Sequence, residues 1–565
     1  MTRLAEVLGV LCLATDLGTG KPADHGLRTC LLAMDIGQDL ALGEAALVDL
    51  YYLAMLRMLG CTVDASRGAE LMGDEVAVGG AMETLDLEDH VQMVAWMLTR
   101  FARHEPPLRR ARLLTRMVRF SGARSGMLAG HCEVAQMLAQ RLGFGDRVRH
   151  DLGFVYERWD GRGEPNGARG EQVPLSMRIL PLARDVEIFL RVGGLAAARS
   201  VVQERSGGSY DPQLAERVSR RLPALAQRLE VPSVWEAVLD AEPGSRPVLG
   251  ATGLESALRV VADFVDVKSP YTLGHSAGVA QLARAAAAQC GLDAEQQALV
   301  ARAGLVHDLG RVGVTSAIWN AARPLTEDEW ERVRLHPYYT ERVLSRSAAL
   351  GKVARLAGAH HERSDGSGYH RGVDAPGLPL AARLLAAADS YRALTEARAY
   401  RPASSEAHAA VSLRTEARSG RLDGEAVEAV LAAAGHVPTR RQLRAGLSDR
   451  EVQVLRLVAQ GLPNKAIASS LSITPKRSST MCSTSTTRWA SPPAPSSSVR
   501  ARRTEALQAD LGRIASAYRV SRCDSPPLLP FKRDGFTLDD YRSFNTLVAV
   551  GARRQAECTF ESFRK

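Results

Sequence analysis

Apolar residues recur every three or four positions through most of the chain up to about residue 437, with polar residues between them, which is the pattern of amphipathic helices. "HSAGVAQLARAAAAQCG", beginning at His275, reads this way, as does "DAEQQALVARAGLVHDLG", stopped by Gly310. "TEDEWERVRLHP" opens with Thr326 and Glu329 at the spacing of a capping box; "ALGKVARLAGAHHE" and "LPLAARLLAAADSYRAL" continue the series. Alternating Val, Ile and Thr runs are scarce, so a mostly α-helical protein is expected. At the N-terminus, "MTRLAEVLGVLCLATDLG" carries a short apolar run broken by Glu6. It reads as a buried helix rather than a signal peptide. No uncharged apolar run reaches the roughly 18 residues of a membrane span.

The helical pattern repeats. "HCEVAQMLAQ…VYERWDGRGEPNGARGEQVPLSMRIL" (131–180) matches "HPYYTERVLSR…HHERSDGSGYHRGVDAPGLPLAARLL" (336–385) with identical spacing from His131 to Val155 and from His336 to His360. Upstream, His25 precedes Arg57 by the same interval that separates His275 from His307. Downstream, "RSGGSYDP" (205–212) matches "RSGRLDGE" (418–425). A duplication explains all of these, with roughly 45 residues inserted after Arg57 in the first copy. The expected division is 1–240 for the first copy, "AEPGSRPVLG" (241–250) as a Pro/Gly linker, and 251–437 for the second.

Composition changes this picture mainly at the C-terminus. Of the net charge of +9, residues 477–565 supply +7, so the rest of the chain is near neutral and the charge excess is weak evidence for nucleic-acid binding. The eight cysteines are scattered without a C-x-x-C pair, as expected of reduced thiols in a cytoplasmic protein.

In the second copy, titratable residues fall in a fixed order on successive helices: His275, then His307 and Asp308, then His336, then His360 and His361, then Asp389 among small apolar neighbours. Imidazole plus carboxylate is the ligand set of Fe, Mn or Zn, and a carboxylate can bridge two ions. A carboxylate inside an Ala/Leu helix is costly without a cation or hydrogen-bond partner.

Residues 255–405 resemble an HD-GYP domain of the HD superfamily of metal-dependent phosphohydrolases, through "SPYTLGHS", "GLVHDLGRVGV", "LHP", "HHERSDGSGY", "LPLAARLLAAADSYRALT" and "RAYR". The resemblance implies a helical HD-type bundle, two or three divalent ions (iron or manganese), and hydrolysis of cyclic di-GMP or a related nucleotide. It implies His275, His307, Asp308, His336, His360, His361 and Asp389 as metal ligands, with Asp308 bridging. It also implies catalytic roles for His307, Asp308 and Arg311, and substrate contacts from Gly366, Gly368, Tyr369, Arg398 and Arg401. Three positions depart from the family pattern. Arg311 stands for a Lys, Thr340 for a Gly, and His370 for the Pro of "GYP".

The first copy keeps His25 and His131, but Arg57 and Met58 stand where His-Asp should be, Val155 and Tyr156 replace His-His, and Arg184 takes the place of the last Asp. It is expected to be a degenerate HD bundle without the metal cluster. Retention for packing and dimerisation and retention as a ligand-sensing pseudo-enzyme both remain open.

"LSDREVQVLRLVAQGLPNKAIASSLSITPK" (447–476) resembles the opening of a LuxR-type helix-turn-helix, expected over 445–476, whose recognition helix should follow. Instead, 12 of the 21 residues from Ser478 to Ser498 are Ser or Thr, a composition that predicts disorder over 477–565. Codons for "RSSTMCSTSTTRWAS", preceded by one added A, can be read as "TVEHHVQHIYDKVGV", which looks like the missing helix. A one-base deletion or sequencing error after Lys476 is therefore expected to have put 477–565 out of frame. The sequence thus predicts a phosphodiesterase coupled to a DNA-binding module, with DNA a partner of the intact family and doubtful here. A catalytically weak, nucleotide-sensing regulator is the alternative.

Overall fold

In the computed structural model, the described residues are 2–437, apart from 87–88, 102, 104–105 and 121–123, together with Val454, Leu457 and 462–470. The chain divides into units 1–438 and 439–565. In the second unit, Asn464–Ser470 is helical. The expected recognition helix and the 477–565 tail lie outside the described residues.

The first unit is built from helices. Its one named sheet among the described residues is a two-stranded antiparallel ribbon that pairs Thr2 with Leu249 and Arg3 with Val248. Helix Leu4–Gly18 is apolar nearly all round and buried, as its lack of a polar face requires. Glu6 breaks its apolar run without cost, because its carboxylate accepts from the Arg3 amide (2.7 Å) and the Ser347 hydroxyl (2.8 Å). Glu44–Thr62 is apolar and long enough to cross a membrane, but 61% of it is buried within the fold.

The repeat is visible bond by bond. At an offset of 250 residues, helices Leu4–Gly18, His25–Asp39 and Glu44–Leu56 correspond to Ala251–Asp266, His275–Gln289 and Ala294–Val306. The Asp16 carboxylate accepts from the Gly26 amide, and Asp266 accepts in the same way from Ser276. At an offset of 205, Glu157 accepts from the amides of Asn166 and Ala168, and Glu362 from those of Arg371 and Val373. Arg178 pairs with Asp211 at 2.8 Å and Arg383 with Asp423 at 2.7 Å, each Asp also capping the helix that follows it. A Cβ on Gly60 would meet the His131 carbonyl at 1.9 Å, and one on Gly310 the His336 carbonyl at 2.0 Å, so both HD turns require glycine.

One continuous apolar core runs through both copies. They meet through reciprocal contacts: Leu17 packs on Gly313 beside the second copy's turn, while Thr62 of the first copy's turn donates to the Phe264 carbonyl (3.0 Å). The insertion forms helices Ala65–Met72, Glu75–Ala81, His90–Thr99 and Pro107–Phe120, with a small core of Trp96, Phe101 and Leu113. It grips the second copy through Glu75, whose buried carboxylate accepts from the Ser316 amide (2.7 Å) and the Thr315 hydroxyl and lies 3.4 Å from Lys268 Nζ. Burial pulls Lys268 down to about 8. Removing one partner of a buried pair strands the other. Glu75→Ala is therefore expected to cost about 3 kcal/mol in urea unfolding, and pairing it with Lys268→Met should recover part of that loss.

Candidate metal centre

Helix ends deliver the imidazoles. His307 follows helix Ala294–Val306, His336 follows Glu327–Arg334, and His360 lies three residues after Gly351–Ala357. The last carbonyls of a helix lack intrahelical partners. Here they engage ring Nδ1 atoms: Gly304 O to His307 (2.8 Å), Val333 O to His336 (2.6 Å) and Ala357 O to His360 (2.7 Å). The Glu396 carboxylate does the same for His275 at 2.7 Å. With Nδ1 engaged, each ring turns Nε2 inward, the tautomer and orientation that metal-ligating histidines use.

The Nε2 atoms converge on two carboxylates. Asp308 Oδ2 faces His307 (3.5 Å) and His275 (3.8 Å), while Oδ1 faces His336 (3.4 Å) and His360 (3.6 Å). Asp389 Oδ1 lies 3.3 Å from His275 and 3.7 Å from His307, and its Oδ2 lies 3.9 Å from His361 Nδ1. The seven predicted ligands thus form one cluster with two halves joined by the two carboxylates.

Three observations fit this cluster to divalent cations. His275, His307 and Asp308 form one close donor group, and His336, His360 and His361 a second, each with donor atoms within 4.8 Å of one another. His307 Nε2 is buried without a hydrogen-bond partner. His336 Nε2 and His360 Nε2 approach to 3.1 Å, a distance at which two ring acceptors need a proton or a cation between them. The charge pattern agrees. Despite burial, His307 and Arg311 hold Asp308 far below the usual carboxylate range, and the imidazoles of His275 and His307 do so for Asp389. Burial drives His336 down to about 3, whereas Asp389 and Glu396 overcome burial at His275 and raise it to about 9.

The other expected site residues divide by position. Arg311 donates to Asp308 Oδ2 (2.8 Å) and stacks over Trp319 at 4.0 Å. The Tyr369 ring stacks on His361 at 4.8 Å. Gly366 turns with φ +76°, and a Cβ on Gly368 would lie 2.5 Å from the Glu362 backbone, so both glycines shape the loop. Arg398 donates to Glu396 at 3.2 Å and to the Tyr271 carbonyl, beside the cluster. Arg401 is engaged with the backbone. Its guanidinium donates to the carbonyls of Ala393, Leu394, Glu396 and Pro402 and so closes the C-terminus of helix Leu380–Thr395. The His370 ring lies against Tyr338 (5.7 Å).

Sequence reasoning missed two supporting residues. Glu396 orients His275, and its only sequence signal is a carboxylate just beyond the helix that carries Asp389. Thr340 was legible only as a departure, yet its hydroxyl donates to the His307 carbonyl (2.9 Å) and accepts from the Gly310 amide (2.8 Å), tying the His336 helix to the HD turn.

The helical frame thus brings seven imidazole and carboxylate side chains into one cluster that could hold divalent metal ions. Residues 78–214 and 259–426 both match the HD domain family, and 445–477 match the bacterial regulatory proteins of the luxR family. The chain belongs to the HD domain family, in its HD-GYP-type branch, and carries a luxR-family segment. It is 31% identical over 406 residues to the 3'3'-cGAMP-specific phosphodiesterase 3 of Vibrio cholerae serotype O1, covering 71% of this chain and 88% of that one. It is 37% identical over 119 residues to the cyclic di-GMP phosphodiesterase response regulator RpfG of Xanthomonas campestris pv. campestris, covering 21% of this chain and 32% of the relative. A crystal structure of a V. cholerae cyclic GMP-AMP-specific phosphodiesterase matches with a TM-score of 0.54 at 27% identity, over 77% of this chain and 98% of the other.

Outer partners of ligating histidines are worth about 10- to 100-fold in metal affinity. Glu396→Gln, which leaves every proposed ligand in place, is expected to weaken Mn2+ binding by about tenfold in equilibrium dialysis.

Proposed function

We propose that the second copy is a divalent-metal-dependent phosphodiesterase that opens a cyclic dinucleotide. The observation that carries this reading is the Asp308 carboxylate, which turns one oxygen to His275 and His307 and the other to His336 and His360. On this reading His275, His307, Asp308 and Asp389 would hold one ion, and His336, His360 and His361, together with Asp308, would hold a second. Iron or manganese suits this donor set, and such ions supply Lewis-acid charge to the phosphate and make water a stronger acid.

The chain's own residues then have separable tasks. Arg311 orients Asp308 by donating to its Oδ2 and adds a guanidinium beside it, the planar donor that suits phosphodiester oxygens. Arg398, next to Glu396, is the second guanidinium near the cluster. Tyr369, backed by His361, offers a flat wall to a ribose or base. Arg401 acts on substrate only indirectly, by fixing the end of the Asp389 helix.

Cyclic GMP-AMP ranks ahead of cyclic di-GMP as substrate. The relative specific for 3'3'-cGAMP aligns along 71% of this chain, whereas the cyclic di-GMP relative RpfG aligns along 21%. The full chain loaded with Mn2+ should linearise 3'3'-cGAMP, followed by chromatography, and should lose this activity in chelator and regain it with added metal. His307→Ala and Asp308→Ala should each lower the rate by at least about a thousandfold. Nucleotide and metal binding without turnover would instead favour a sensor.

The luxR-family match ends at residue 477, where the Ser/Thr-rich stretch begins. We infer that the present chain lacks a complete DNA reader. Inserting one adenine after the Lys476 codon is expected to create specific DNA binding in a mobility-shift assay where the original chain shows none.

A further inference from the structure

Among the described residues the first copy does not repeat the donor groups of the second, but a cavity lies at the corresponding place. A cavity of about 400 Å3 lies among helices Leu4–Gly18, His25–Asp39, Glu44–Leu56 and Leu175–Glu204. Two of the seven positions have become organic cations: Arg57 stands where His307 does, and Arg184 where Asp389 does. Lys21 lines the same cavity.

Arg57 is the central group. It is 7% exposed, its Nε is buried without a partner, and no carboxylate among the described residues pairs with its guanidinium. Arg184 is only partly neutralised, because Asp185, its 2.6 Å partner, also takes Arg205 at 2.5 Å and the Tyr210 hydroxyl. Asp16 is held by the Gly26 amide, and burial raises it to about 8, so it adds little negative charge at neutral pH. Burial and the neighbouring Arg184 lower Arg57 to about 10, which leaves it charged. A buried guanidinium without a counter-ion is costly, and the cavity is where that counter-ion fits.

The lining tells what kind of anion. Met55, Met58, Leu85, Val155 and Tyr156 give the cavity apolar and aromatic lining beside the cations, and Glu83, Asp86 and Glu157 line it as well. The volume lies within the range of small-molecule sites, about 300–1,000 Å3. We propose that the first copy is a non-catalytic binding site for a small phosphate ester of nucleoside-monophosphate size, its phosphate held by Lys21, Arg57 and Arg184. Fixed guanidinium and ammonium groups thus replace the divalent ions of the second copy: they attract phosphate oxygens but cannot activate water.

The test separates this site from the catalytic one. The full chain carrying His307→Ala and Asp308→Ala is dialysed into EDTA, and GMP binding is measured by equilibrium dialysis, with inorganic phosphate as competitor. Saturable binding of GMP, displaced by phosphate, is expected. Arg57→Met and Lys21→Gln should each weaken it about tenfold or more, while Arg57→Lys retains part of it. Lys21 is half-buried at the cavity, so Lys21→Gln carries the test if Arg57→Met fails to fold by circular dichroism. No saturable binding up to about 1 mM, or binding unchanged in folded Lys21→Gln and Arg57→Met, would overturn the proposal. Because the catalytic ligands are already removed, failure here leaves the phosphodiesterase reading untouched.

Discussion

The second copy is organised around the cost of one buried carboxylate. Asp308 is 4% exposed, and a lone anion at such a site would lose several kcal/mol of hydration. Its charge must therefore be offset, and the His307 imidazole and the Arg311 guanidinium do this, while His275, His336 and His360 face the same carboxylate. That demand fixes where four helix ends must meet. The HD turn passes so close to the next helix that Gly310 has no room for a side chain, and Thr340 ties the two backbones together.

The imidazoles, in turn, are oriented by a resource that every helix end has to spend somewhere. Unpaired carbonyls of the last turn are usually satisfied by water or a capping glycine. At Gly304, Val333 and Ala357 they accept from a histidine three residues further on. One interaction thus ends the helix and aims the ligand. His275 opens its helix instead of closing one, so no such carbonyl is available and Glu396 takes over from a distant segment.

This difference explains what was legible in the sequence. The helices, the duplication and the ordered histidines and aspartates could be read because they depend on local periodicity and on spacing within one copy. Arg398 and Arg401 looked equivalent in "RAYR", since a sequence does not reveal which guanidinium is consumed by backbone carbonyls; the fold around helix Leu380–Thr395 decides it. Glu396 and the clamp from Glu75 to Thr315 and Ser316 were not legible, because each joins segments whose proximity only the packed structure sets.

The same reasoning shows why the first copy has kept its frame while losing its ligands. Asp16, Glu157 and Asp211 preserve backbone bonds found at Asp266, Glu362 and Asp423, and these bonds hold turns and helix starts that the apolar core shared by both copies needs. Leu17 and Thr62 press on the second copy close to its His307–Asp308 turn and first helix, so a collapsed first copy would disturb the geometry of the histidine and aspartate cluster. Ligand positions facing the cavity carry no such burden. They could change once the frame was secured, and the space that packing keeps open is now lined by Lys21, Arg57 and Arg184.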